Sequence, residues 1–306
     1  MRLEPRPPAA ASYARPSIAG RRWRALAPGG IPVALFLVLG LVGPCLAPFS
    51  ADQSVDTTAV GARPPGSRVV LDGSAWPDVA THRPLLLPLG TDGLGRDVLS
   101  RLLHGARSSL TIAGGAVLLA TLLGVGFGIL AGLGRWTGSA ATTGTTALLA
   151  FPRLFLLVAL AALLAPGKWT VTLTLAATGW MTLARVVDGE LRSLLRRPFV
   201  EAARVSGVRP ARLVVRHLVP HLATPIAVVA TAMVGEAILA EAALSFLGLG
   251  IPPPEPSWGG MAAEATPDLL SAWWLAAFPG LALTVTALGF QLLGDGLRDA
   301  LAVPGG

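Results

Sequence analysis

Apolar residues gather along this chain into six long runs, separated by polar stretches rich in glycine and proline. The first run, residues 31–49, carries no charge and has about the ~20 residues a helix needs to cross a bilayer. Five more lie near residues 108–131, 146–165, 169–186, 222–248 and 272–293. Each reads as a spanning helix, the fourth being short and ending at Arg185. Residues 1–30 are polar and without periodicity, and residues 50–88 form a mixed, proline-bearing loop with no apolar run. From Gly90 the chain reads GTDGLGRDVLSRLLHGARSSL. The turn residues Gly93 and Gly95 there precede an amphipathic helix with Val98, Leu99, Leu102 and Leu103 on its apolar face. The pattern predicts a tail over residues 1–30, a first transmembrane helix over 31–49, a loop with an amphipathic helix over 50–107, and a five-helix core over 108–301. A cleaved signal peptide would have an apolar region of only ~7–15 residues, so an uncleaved first helix is expected.

Composition agrees with this reading. Of 306 residues, 53% are hydrophobic and 13% are charged, and mean hydropathy is +0.64. A soluble domain carries roughly 25% charged residues. Too few charges are present to clothe a soluble particle, and the high hydrophobicity excludes intrinsic disorder. The net charge of +7 and the pI of 11.2 raise a nucleic-acid reading, which the placement of the charges answers. All the basic residues are arginine except Lys168. With an inside N-terminus, sixteen basic residues fall on inner segments: six in residues 1–30, Arg135, eight from Arg185 to Arg216, and Arg298. Outer segments hold seven, and the outer loop 249–271 holds none. Such asymmetry marks the cytoplasmic side, so both termini are expected in the cytoplasm and no nucleic acid is expected as a partner. Trp136, Trp169, Trp258, Trp273 and Trp274 fall at predicted span ends, where amphipathic rings sit. Cys45 is the single cysteine, so no intrachain disulfide forms. A lipid-attachment reading of Cys45 is opposed by Pro44 before it, and an ordinary membrane thiol is expected.

An ATP-hydrolysing loop needs glycine, four residues, then Gly-Lys-Ser/Thr. The only lysine, Lys168, is followed by Trp169 and has Ala162 where the first glycine would stand. Any ATP use is therefore expected on another polypeptide. Gly124, Gly128 and Gly132 recur every four residues in the second run, a spacing that lets membrane helices approach closely. Glu236 and Glu241 fall within the fifth run. A carboxylate at mid-bilayer costs about 2.5–3.5 kcal/mol on insertion scales, so each is expected to face a cavity, a partner or the bundle interior. Lining of a translocation path is one reading, and simple hydration of Glu241 near the span end is the other. Asp92 and Asp97 flank the Gly93–Gly95 turn. Capping and turn formation suit them better than a metal loop, which needs more oxygen ligands. Arg96, Arg101 and Arg107 either pair with these aspartates or face a partner. His217 and His221 have helical metal spacing, but Pro220 intervenes and no acidic ligand is near, so no metal is expected. No Ser/His/Asp grouping suggests a catalytic centre. The prolines 252, 253, 254 and 256 stiffen the loop before Trp258.

The fourth and fifth runs are joined by a loop of about residues 190–221, which includes FVEAARVSGVRPARLVVRHLVPHLATPI (Phe199–Ile226). Glu201-Ala202-Ala203 opens a short helical piece, Gly207 permits a sharp turn, and Pro220 stands where the next span begins. This spacing resembles the EAA loop of ABC-importer permeases. Together with GTDGLGRDVLSRLLHGAR, AILAEAALSFLGLGIPPPEPSWGGM, SAWWLAAFPG and LLGDGLRDAL, it is similar to the dipeptide/oligopeptide/nickel permease family, second-subunit type, from about Leu89 to Leu301.

The resemblance implies an all-α, six-span inner-membrane protein with the type I ABC importer permease fold. The expected partners are a homologous second permease subunit, two ATPase subunits, an extracytoplasmic binding protein and the lipid bilayer. It implies that Glu201, Ala202, Ala203, Arg204, Gly207 and Pro220 belong to an ATPase-coupling element. Asp92, Arg96, Asp97 and Trp258 would face the binding protein, and Glu241 would line the pathway. No cofactor is expected on this chain, ATP and magnesium belonging to the ATPases. Peptides are the expected solute, with nickel or another small solute as the alternative within the family. A self-contained secondary transporter or channel using Glu236 and Glu241 is the alternative of another class. Three departures stand out. Thr142–Thr146 replaces a stretch that usually carries Arg and Asp, Arg153 follows Ala150-Phe151-Pro152 where a small or apolar residue is usual, and Asp188 stands where a basic residue is common.

Overall fold

A computed structural model of the chain describes residues 18–55, 61–69, 85–134 and 136–301. The polar tail up to residue 17, Arg135 and His82 lie outside the described residues. Among the described residues, ten α-helices follow one another: α1 (Ile18–Leu46), α2 (Val98–Leu133), α3 (Trp136–Leu149), α4 (Arg153–Ala162), α5 (Lys168–Leu195), α6 (Pro198–Val205), α7 (Pro210–Leu213), α8 (Val219–Phe246), α9 (Trp258–Glu264) and α10 (Trp274–Leu301). Two short antiparallel strands, β1 (Ser67–Val69) and β2 (Leu85–Leu87), pair in the loop between α1 and α2. Val69 and Leu87 bury there with Val55, in a stretch that shows no strand periodicity.

Among the described residues, five helices are long and apolar enough to cross a membrane: Leu26–Leu46 within α1, then α2, α5, Val214–Phe246 and α10. The third crossing is not the single helix expected over 146–165. Ala140–Leu149 and Arg153–Ala162 form a pair bent by 90°. The break falls at Ala150-Phe151-Pro152. Proline cannot donate the next helical hydrogen bond and restricts the residue before it, so the helix stops there.

The amphipathic helix expected within residues 50–107 is also not separate. It forms the first turns of α2, which runs unbroken for 36 residues. Glycine at 105, 114 and 115 does not interrupt it, since no proline lies between Val98 and Leu133.

Glycine spacing organises the centre. A Cβ at Gly124 would lie 2.8 Å from Leu183 Cβ, and one at Gly128 2.6 Å from Val187 Cβ. Gly115 approaches Thr172 and Gly132 approaches Leu191, so α2 and α5 run parallel in close backbone contact. Parallel neighbours require a return crossing between them, and the bent α3–α4 pair supplies it. On the other flank, α1 packs antiparallel on α10, with Gly289 against Pro32.

Candidate functional site

The loop resembling a coupling element is built on buried aliphatic residues. Val200, Leu218 and Leu222 are fully buried beneath it. Pro198 occupies the first turn of α6, Glu201 lies in that turn and Arg204 in the last, which suits the helix dipole. The helix ends in a Schellman cap: Gly207 N–H donates to Arg204 O at 3.0 Å and Val208 N–H to Ala203 O at 3.1 Å. Gly207 holds φ at +75° with open space around it. Glycine is thus required there by conformation, not by room. Glu201, Ala202, Arg204 and Pro220 are exposed, Ala203 is half-buried, and Val205 is 86% exposed.

Pro220 does not open the span after a loop. The helix rises from Pro210 through a π-turn, Val214–Leu218, and enters α8 at Val219. Val219 N–H donates to Val214 O across that turn, which accommodates the donor that Pro220 lacks. The His221 ring contacts His217 O at 2.7 Å and stacks on Phe199 with centroids 5.5 Å apart.

At the opposite end, where α2 begins, the charges pair with one another. Asp97 caps α2, accepting from Ser100 N–H at 2.8 Å and its hydroxyl at 2.6 Å. Asp92 Oδ1 accepts from the backbone N–H groups of Leu94 and Arg96, both at 2.9 Å, closing the turn in which Gly95 takes φ +72°. Its Oδ2 accepts from Arg96 Nε and Arg101 Nη1, each at 2.7 Å. Glu264 on α9 receives both arginines, at 2.9 and 2.8 Å. Two acids and two guanidiniums thus balance beside a cavity of about 440 Å³. Trp258 is buried, donates its indole N–H to Leu102 O at 2.9 Å and packs 5.4 Å from Phe36.

Capping and pairing, expected for the aspartates, is what the structure shows. A binding-protein-facing role for Asp92, Arg96, Asp97 and Trp258 does not match their burial: these side chains tie α9 to α2 and leave little to present. Trp258 likewise departs from the interfacial position expected of it, as does the buried Trp274, whereas Trp169 and Trp273 are exposed.

The two intramembrane carboxylates separate. Glu241 is 0% exposed and accepts from Ser245 Oγ at 2.7 Å and Ser109 Oγ at 3.3 Å, a buried tie between α8 and α2. This does not support Glu241 as a path-lining residue. Glu236 is exposed and pairs with Arg153 Nη1 at 2.8 Å. Two of the unusual positions also meet: Asp188 pairs with Arg192 at 2.6 Å and accepts from Thr142 at 3.4 Å. Lys168 pairs with Glu255, and Ser108 donates to the same carboxylate at 3.2 Å, fixing the proline-rich loop to α5 and α2. Glu264 and the Arg153–Glu236 contact escaped sequence reasoning, since no local pattern brings residues this distant together.

Membrane crossings around a parallel, glycine-packed pair, with an exposed helix–turn–helix at one end, define a multi-pass membrane permease. The chain belongs to the family described as binding-protein-dependent transport system inner membrane component, whose model matches residues 124–302. It is 41% identical over 214 residues to the di/tripeptide transport system permease protein DppC of Pseudomonas aeruginosa, covering 70% of this chain and 71% of that one. It is 38% identical over 213 residues to the dipeptide transport system permease protein DppC of Alkalihalophilus pseudofirmus, covering 69% and 70%. Its fold matches a chain of the inward facing MetNI methionine ABC transporter with a TM-score of 0.54 at 19% identity, covering 66% of this chain and 96% of that one. The fold is therefore the type I ABC importer permease fold. Family membership makes the chain a non-catalytic, inner-membrane component that works with other ABC components, and it sets aside the self-contained transporter or channel.

Proposed function

We propose that this chain is one of two homologous permease subunits of an ATP-driven peptide importer. Two ATPase subunits bind and hydrolyse ATP with magnesium, an extracytoplasmic binding protein delivers the peptide, and this chain binds no cofactor of its own. Both termini and the α6–α7 element face the cytoplasm, in keeping with the arginine asymmetry. The observation that carries this reading is α6 itself. Glu201, Ala202 and Arg204 stand exposed with Val205 on a helix anchored from beneath by Val200. An apolar side chain held outward on a firm base is suited to a groove on a partner. Closure of the ATPases would move α6 and reorient the spans between two access states. Peptide as the solute rests on the names of the relatives.

Tagged protein purified from its native membrane is expected to bring a second permease and ATPases with it. Reconstituted with the binding protein, the complex is expected to take up peptides only when ATP is supplied. Recovery of this chain alone, with transport when it is reconstituted alone, would overturn the reading.

A further inference from the structure

Charged side chains inside a membrane bundle face water, a partner or one another. Glu236 lies ten residues before α8 ends at Phe246, about 15 Å along the helix axis, or half of the ~30 Å hydrocarbon thickness. Its partner Arg153 opens α4 immediately after the 90° break in the third span. A single contact of 2.8 Å joins them, with side-chain exposures of 35% and 55%. The Asp92–Arg101 cluster, by contrast, has five charge contacts, with both arginines buried. Glu236 also borders a cleft of about 150 Å³ between α5, α8 and α10, lined further by Thr182, Gln291, Asp295 and Arg298. Acyl chains cannot satisfy that many polar groups, so the cleft is suited to water.

We propose that Arg153 and Glu236 form a charge filter on the aqueous pathway. This deepens the permease reading above, on which it rests, by naming the pair that a solute's charges meet at mid-depth. While both are present their fields cancel, and solutes of either sign pass. Removing one leaves the other's charge unbalanced beside Asp295 and Arg298, and the path becomes selective by sign.

The test uses the assembled transporter in proteoliposomes with Cys45→Ala and a reporter thiol, Ala232→Cys, which lines the same cleft one turn from Glu236. Its reaction rates are measured with anionic sulfonatoethyl and cationic trimethylammonioethyl methanethiosulfonate. The anionic-to-cationic rate ratio is expected to rise about tenfold with Glu236→Gln and to fall about tenfold with Arg153→Gln. No reaction at residue 232, or a ratio that neither variant moves, overturns the proposal. Co-purification of the partner subunits checks assembly, and either variant alone decides if the other does not assemble. Uptake gives a second readout: Glu236→Gln should disfavour Lys-Lys against Glu-Glu peptides, and Arg153→Gln the reverse. Equal slowing of both peptides would make the pair a structural brace. If the unaltered transporter takes up no peptide, the peptide reading fails while the thiol ratio still decides the filter.

Discussion

The two ends of the bundle treat charge in opposite ways. Where α2 begins, Asp92, Arg96 and Arg101 are buried and pair with one another and with the more exposed Glu264. Where α5 ends, Glu201 and Arg204 stand exposed on a helix held from beneath by Val200. Residue types are the same and their use is not. Buried ions lose their hydration, and the network repays that cost only in one geometry, so it fixes the relation of α9 to α2. Exposed ions fix little and stay available to a partner. One end is built to hold a shape, and the other to present one.

Three substitutions break or sharpen this contrast. The largest effect is expected from Asp92→Ala, which leaves Arg96 and Arg101 with Glu264 alone. Breaking a buried ion pair costs roughly 3–5 kcal/mol, read as a lowered thermal midpoint in detergent and less protein in the membrane. Unchanged stability would show that the ion-paired end is not a brace. Gly207→Val comes next. A β-branched residue forced into the left-handed region costs about 1–2 kcal/mol, so the midpoint should fall modestly and assembly persist. Substrate-stimulated ATP hydrolysis should fall to its basal rate, because the cap that aims α6 is lost. The smallest stability effect belongs to Glu201→Ala, expected within about 0.5 kcal/mol as for other surface changes. Its signature is a several-fold drop in stimulated hydrolysis at normal expression. A loss of stability as large as that of Asp92→Ala would mean that both ends are braced alike.

Much of this was legible in residue order. Apolar runs located the crossings, Gly124, Gly128 and Gly132 announced the closest helix pair, and Glu201 through Gly207 announced the exposed turn. Misreadings arose where local pattern was asked to report on tertiary partners. Val98–Leu103 reads as amphipathic because Arg101 turns to the charged network while Leu102 and Leu103 lie near Phe36 and Trp258, and the helix runs on into the span without a break. Pro152 was visible, yet only the 90° bend shows that it divides the third crossing. Glu236 and Glu241 look equivalent five residues apart, but α8 turns the first toward Arg153 and the second toward Ser109 and Ser245. Periodicity carries the face of one helix and says nothing of the register between two, so contacts such as Arg153 with Glu236 appear only in three dimensions.

The length of α2 has a mechanical consequence. Its 36 residues extend about 54 Å, and Gly124, Gly128 and Gly132 seat Leu183, Val187 and Leu191 of α5 directly against its backbone. Close-packed interiors are stiff, so the two helices act as one beam. A beam of that length tilting by about 10° carries its far end through about 9 Å. A displacement where α5 meets α6 would therefore be felt along α2, toward the turn around Asp92.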